Sequence, residues 1–406
     1  MISLGLRAAQ LDDLQQLLVS NHILDVTIQI LDLEHNYLAD VSKRLLGGQV
    51  NIDTTADTTR SLDLELLDPT HSLKLDDDAP NDGSLYFTRM IKVTYGVAAS
   101  DHSRRYDIPV FCGPISKVER DEAVLSITCV GKEVLLNSAV WNSKTFKKGL
   151  SKRTAMIRIL SDIGGETKYD LANTSERLPS DFSLQRGKVS PWAALKKLAA
   201  GMGYQVFYDG RGVCRMRRVP AKSVYTFGEN GALLTVPQPS FDASAVINAI
   251  ELIGGTPKGS KYRVGARAVA PRSHPLSPWN LGRNGAPRYL PEFINDSSVK
   301  STSVARTRVS NRLKNAMIEA VDVAFDSLPI PFLEENDLCV VRTDGWSCEF
   351  RLNKMAIPLT ADGTTSIGYL RRVYRARRVP TTAIRIKNPT KKKPKKHTSS
   401  HKKRHK

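Results

Sequence analysis

The sequence lacks most of the features that announce a chemistry. Its 406 residues contain no run of about 18 consecutive apolar side chains, so no membrane span is expected. Asp12 and Asp13 stand where a signal peptide needs its apolar stretch, so ordinary export is not expected and the chain reads as soluble. Cysteine is scarce: Cys112, Cys129, Cys214, Cys339 and Cys348 are odd in number, scattered, and free of any CxxC pair or histidine at metal spacing. Buried, reduced thiols are the consequence. GxSxG and HExxH are both absent. The segment 254–261, Gly-Gly-Thr-Pro-Lys-Gly-Ser-Lys, has the glycine spacing of a phosphate loop but ends Gly-Ser-Lys, and reads as a plain loop. Asp76, Asp77, Asp78 and Asp82 crowd a segment without the spacing or distal Glu of a calcium-binding loop, and read as a solvated turn. The five histidines before the C-terminal segment never fall within one helical turn of each other. His397, His401 and His405 do, but among like charges and without a rigid scaffold. Aromatics make up 7% of the chain, and Tyr204, Phe207 and Tyr208 read as core, since Arg215, Arg217 and Arg218 lie only on the next strand. No catalytic residue, cofactor or metal is expected.

Positive charge is what the chain has in excess. Sixty Lys and Arg face 41 Asp and Glu, a net of +19. Sixteen of the basic residues lie between Arg371 and Lys406, where no acidic residue occurs, leaving 44 against 41 over residues 1–370. Residues 388–406, without large apolar residues, are expected to be disordered. Lys391, Lys392, Lys393, Lys395, Lys396, Lys402, Lys403 and Arg404 are therefore the candidate contacts to a polyanion such as DNA, a cell-surface polymer or an acidic protein. A merely solubilising tail is the alternative.

The hydrophobic pattern divides the rest. Leu11, Leu14, Leu17 and Leu18 predict an amphipathic helix that docks on a neighbour or on the body, forming an arm over 1–23. Alternation then takes over: Leu62, Leu64 and Leu66 oppose Ser61, Asp63 and Glu65, and the pattern recurs at 26–31, 90–95, 110–120 and 124–130. A first β domain of five to seven strands, closed into a small barrel or sandwich, is expected over 24–140, with Ile115, Val118, Leu125 and Ile127 in its core. Met156, Ile159, Leu160 and Ile163 mark a helix behind Ser151, and Ser190-Pro191 opens another that runs into a strand, turn and strand over 204–219. These form an α+β module over 141–235. A second β-rich domain is expected over 236–375, containing a structureless excursion at 254–300, a helix near 303–316 and a hairpin turning at Asp344-Gly345 that sets Cys339 and Cys348 within about one residue of register. Residues 376–406 form the basic tail. The class is mainly β with α+β.

Three stretches carry a resemblance. Gly48-Gln49-Val50-Asn51-Ile52-Asp53 followed by 60–69, with the later pair around 111–115 and 129–131, is similar to the opening strands of the tail-tip or baseplate hub proteins of long-tailed bacteriophages, particularly those infecting actinobacteria. Ser190-Pro191-Trp192 through Gly212 resembles their helix running into a strand-turn-strand. The segment 328–341, with Glu334-Glu335-Asn336-Asp337 before its strand, resembles the start of their second barrel. The resemblance implies two β-barrels per subunit flanking the module, a homotrimer matching a six-fold tail tube to three-fold tip parts and closing the tube before DNA ejection, and a place at the virion tail tip after synthesis in the host cytoplasm. It implies the distal tail protein, the tape-measure protein and other tip or fibre proteins as partners. It carries no catalytic residue, and the Lys-rich end has no counterpart in it. The rival expectation is a polyanion-binding protein unrelated to virions that acts through that end.

Overall fold

The computed structural model describes residues 4, 6–75, 85–228, 231–241, 246–317, 321–343, 346–372 and 379–387. The chain divides into two compact units, 1–240 with 321–373, and 241–320 with 374–406.

The first unit is built on an eight-stranded sheet in the order Tyr37–Asp40, His22–Asp32, Arg89–Ala99, Arg105–Asp121, Val124–Val130, Arg60–Leu67, Leu45–Asp53 and Lys354–Pro358. Its neighbours all run antiparallel, and the alternating strand Arg60–Leu67 buries Leu62, Leu64 and Leu66 while Asp63 and Glu65 face out. Ile115, Leu125 and Ile127 are buried and Val118 packs against them, as the alternation predicts. The helix Ala8–Leu18 docks on this core through Leu14, Leu17 and Leu18, and Asp13 accepts from Tyr106 Oη at 2.7 Å. The outermost strands, Tyr37–Asp40 and Lys354–Pro358, do not pair with one another, so the expected closed barrel is an open sheet. Alternation specifies a half-buried strand; it carries no information on whether the two edges meet.

A second sheet of the same unit runs Tyr225–Phe227, Leu338–Thr343, Trp346–Leu352, Thr365–Arg372, Val321–Ser327 and Gln238–Phe241, and it too is open. Phe227 meets Tyr225 and Phe325 edge-on at 4.7 and 5.0 Å between centroids, inside the core shared with the first sheet. In its hairpin Cys348 pairs with Val341 and Cys339 with Phe350, two positions apart and not the near-match expected. The α+β module, which follows Val124–Val130 in the chain, has its own core around Met156, Leu160, Trp192 and Leu195. Ser190 caps the helix Pro191–Ala200 by accepting from Ala193 N at 3.1 Å, with Pro191 in the first turn where its missing N–H costs nothing. The other helix, Lys152–Arg158, continues as one π turn over Ile159–Ile163.

The second unit is a four-stranded sheet in the order Pro291–Asp296, Ala249–Gly254, Tyr262–Val269 and Thr381–Lys387, backed by the helix Thr302–Ala316. Ile250, Leu252, Ala266 and Ala268 pack under Ala305, Val309 and Leu313. The stretch expected as one domain over 236–375 is thus shared between the two units. The supposed excursion 254–300 contains two strands, and the supposed tail contributes a third, paired over seven residues with Tyr262–Val269. No helix among the described residues is long and apolar enough to cross a membrane.

Candidate functional site

The densest chemistry lies inside the first unit, where the eight-stranded sheet, the α+β module and the turn 334–337 meet. Arg60 opens its strand with a buried guanidinium. Its Nη1 donates to Val110 O at 2.9 Å and its Nη2 to Glu334 Oε2 at 2.5 Å. Glu334 N and Arg217 Nη2 donate to the two carboxylate oxygens of Asp337, at 2.8 and 3.2 Å. Arg217 Nη2 also donates to Glu335 O at 3.1 Å, and Asn336 takes the left-handed conformation that turns the chain. Glu133, Glu334 and Glu335 are all buried here. Burial, with Glu133 and Glu334 beside it, pushes the Glu335 carboxyl up to about 8, and burial likewise raises Glu133. Burial raises Glu334 too, against the pull of Arg60.

A second arm centres on Lys132. Its ammonium lies 2.7 Å from Glu166 Oε2, donates to Gly212 O at 3.2 Å and reaches His35 Nε2 at 2.8 Å, while Tyr208 Oη donates to Glu166 at 3.0 Å. Burial and Lys132 pull His35 down to about 4, so its neutral ring accepts from the ammonium. His35 Nδ1 also lies 3.9 Å from Cys112 Sγ, the arrangement of a nucleophilic pair. Burial pushes that thiol up to about 11, opposite to the direction that activates a nucleophile. The turn 209–212 presses this arm home: a Cβ on Gly210 would stand 2.2 Å from Pro109 O, and Gly212 has φ +70. Asp209 ties the turn by accepting from Arg211 N and Val213 N at 2.9 and 3.1 Å.

These groups fasten three segments and can hold a proton on Glu335; among the described residues no group of three or more His, Cys, Asp and Glu is set to hold a metal. An open groove of about 400 Å³ lies over Gln49, Asp63, Glu65 and Thr128 on the outer face of the first sheet. The sequence-predicted contacts Lys391, Lys392, Lys393, Lys395, Lys396, Lys402, Lys403 and Arg404 lie outside the described residues. Arg60, Lys132, Glu133, Glu166 and Glu335 escaped sequence reasoning, since Arg60 and Glu334 stand 274 positions apart. The acidic turn 334–337 was the one visible signal. Charge also separates differently from the sequence reading: the first unit holds 34 basic and 36 acidic residues, the second 26 and 5.

No family model matches the chain, and no curated protein matches it in sequence. Solved structures do. A tail protein from Neisseria meningitidis is similar with a TM-score of 0.58 at 12% identity, covering 85% of this chain and 96% of that one. The 43 kDa tail protein of prophage MuSo2 from Shewanella oneidensis is similar with a TM-score of 0.57 at 14% identity, over 85% and 98%. Prophage tail protein gp18 from Listeria monocytogenes gives 0.50 at 11%, over 84% and 94%. The architecture is that of phage tail proteins, so the expected likeness to tail proteins holds at the level of the fold.

Proposed function

We propose that this chain is a structural protein of a phage tail tip: a homotrimeric hub whose paired β-rich regions form a ring that joins a six-fold tube to three-fold tip parts and closes the tube before DNA ejection. The observation that carries the reading is the likeness to tail proteins over 85% of the chain. Partners are then the distal tail protein, the tape-measure protein and further tip or fibre proteins, in a virion assembled in the host cytoplasm. The work of such a protein is assembly, and no enzymatic role is assigned to it. The ion-bonded junction suits this role, because charged groups paired in fixed geometry hold three segments in one register. Electron microscopy of the purified protein tests it: rings with three-fold symmetry are expected, and a uniform field of single particles without symmetry contradicts it.

A second reading has its own observation, the 26 basic residues against 5 acidic in the second unit. On it the chain binds polyanions, with Lys391, Lys392, Lys393, Lys395, Lys396, Lys402, Lys403 and Arg404 as contacts. Removing 388–406 lowers retention on a polyanion column if those residues take part, and leaves it unchanged if they do not.

A further inference from the structure

The charge of the second unit is not confined to the end of the chain. Between Glu251 and Glu292 there are seven Lys and Arg and no acidic residue. The acidic side chains that the described part does contain, Glu251, Glu292 and Asp296, are each taken up by Arg267, Arg312 and Arg308. Three of the seven, Arg272, Arg283 and Arg288, lie in a loop, 271–290, that internal hydrogen bonds hold in one shape. Buried Asn248 donates to Arg288 O at 2.9 Å and accepts from Leu290 N at 2.7 Å, and Asn280 donates to His274 O at 2.8 Å. Arg288 N donates to Pro278 O at 2.8 Å, and Asn284 and Gly285, both at positive φ, close a tight turn between Arg283 and Ala286.

This scaffold turns aromatic rings outward. Trp279 is 38% exposed and Tyr289 48%, their centroids 6.4 Å apart, and the Arg272 guanidinium sits over the indole at 4.9 Å. Arg283 and Arg288 are exposed on the same loop. Two large rings left half-exposed on an ordered loop forgo part of their burial, and rings interleaved with guanidinium groups that meet no carboxylate among the described residues match a chain that alternates flat π faces with phosphates. A duplex keeps its base faces stacked inside, and an acidic peptide has no use for the rings.

We propose that the loop 271–290 is a single-stranded nucleic-acid platform, with Trp279 and Tyr289 stacking bases and Arg272, Arg283 and Arg288 taking phosphates. It does not rest on the tail role. The test is fluorescence anisotropy of a labelled oligothymidine, across a salt series, against the full chain and a chain ending at Lys387. Trp279→Ala with Tyr289→Ala weakens binding at least about tenfold with the salt slope retained. Replacing the three arginines by Ala flattens the slope by about 2. The chain ending at Lys387 still binds and still responds to both changes. Should the ring variant fail to fold, 5-fluorotryptophan in the unmutated chain serves instead: the Trp279 resonance, assigned through Trp279→Phe, shifts when the oligonucleotide is added. An affinity unchanged in the folded ring variant, a resonance that does not move, loss of all binding on shortening the chain, or equal affinity for a sulfated polysaccharide overturns the proposal.

Discussion

Arg60 Nη2 and Glu334 Oε2 lie 2.5 Å apart in full burial and join a strand of the eight-stranded sheet to the turn 334–337. Removing one member leaves the other charge buried and unpaired, so Glu334→Ala is expected to cost about 3–5 kcal/mol in chemical denaturation. Replacing both together, Arg60→Met with Glu334→Leu, recovers most of that loss, because the desolvation of two ions disappears with their attraction.

Glu335 gives the first unit a pH dependence of definite sign. Its folded value is raised to about 8, above the ordinary carboxyl value, so between those values the folded state binds a proton that the unfolded state has released. Stability is full below the ordinary value and is lost as pH rises through about 8. Glu335→Gln flattens this loss, and denaturation midpoints at about pH 6 and about pH 9 measure it.

Asp68 acts in the opposite direction. Burial works against its charge, but Leu73 N, Ser72 N and Oγ, and Arg120 and Arg44, at 3.0 and 2.6 Å, hold the carboxyl far below the usual range. Its contribution is present above the ordinary carboxyl value and lost as pH falls below it. Asp68→Ala is expected to cost about 3 kcal/mol at neutral pH and to make the unit less sensitive to acid, read from melting curves across pH.

The thiols are expected to stay free. Cys112, Cys129, Cys214 and Cys339 are buried, with burial pushing each thiol up, and Cys348 alone is partly exposed. A thiol reagent applied to the native protein modifies Cys348 and reaches the other four only on denaturation. A Cys339–Cys348 disulfide in freshly isolated material would contradict the register that sets Cys348 opposite Val341.

Where local pattern and tertiary burial coincide, the fold is legible in the residues. Leu62, Leu64 and Leu66 alternate and are buried, and Ser190-Pro191 starts a helix. The strands Tyr262–Val269 and Pro291–Asp296 are not legible, because Gly265 breaks the alternation of one and the other is a half-exposed edge beginning at proline. Thr381–Lys387 alternates only weakly among basic residues, and its strand exists through pairing with a segment more than a hundred positions earlier. The ionic junction is invisible for the same reason: Arg60, Lys132, Glu166 and Glu335 gain meaning only once distant segments meet. The charge separation was hidden because the second unit is discontinuous, so a count over 1–370 mixes its 241–320 part with the acidic first unit.

A trimeric tail hub is checked by the solution mass of the purified chain at low and high salt, with the ultraviolet absorbance ratio recorded in the same run. The trimer gives three times the 44.9 kDa chain at both salt concentrations, with an absorbance ratio free of nucleic acid at high salt. A species of 44.9 kDa at high salt, releasing nucleic acid as salt rises, would contradict it and favour the polyanion-binding reading.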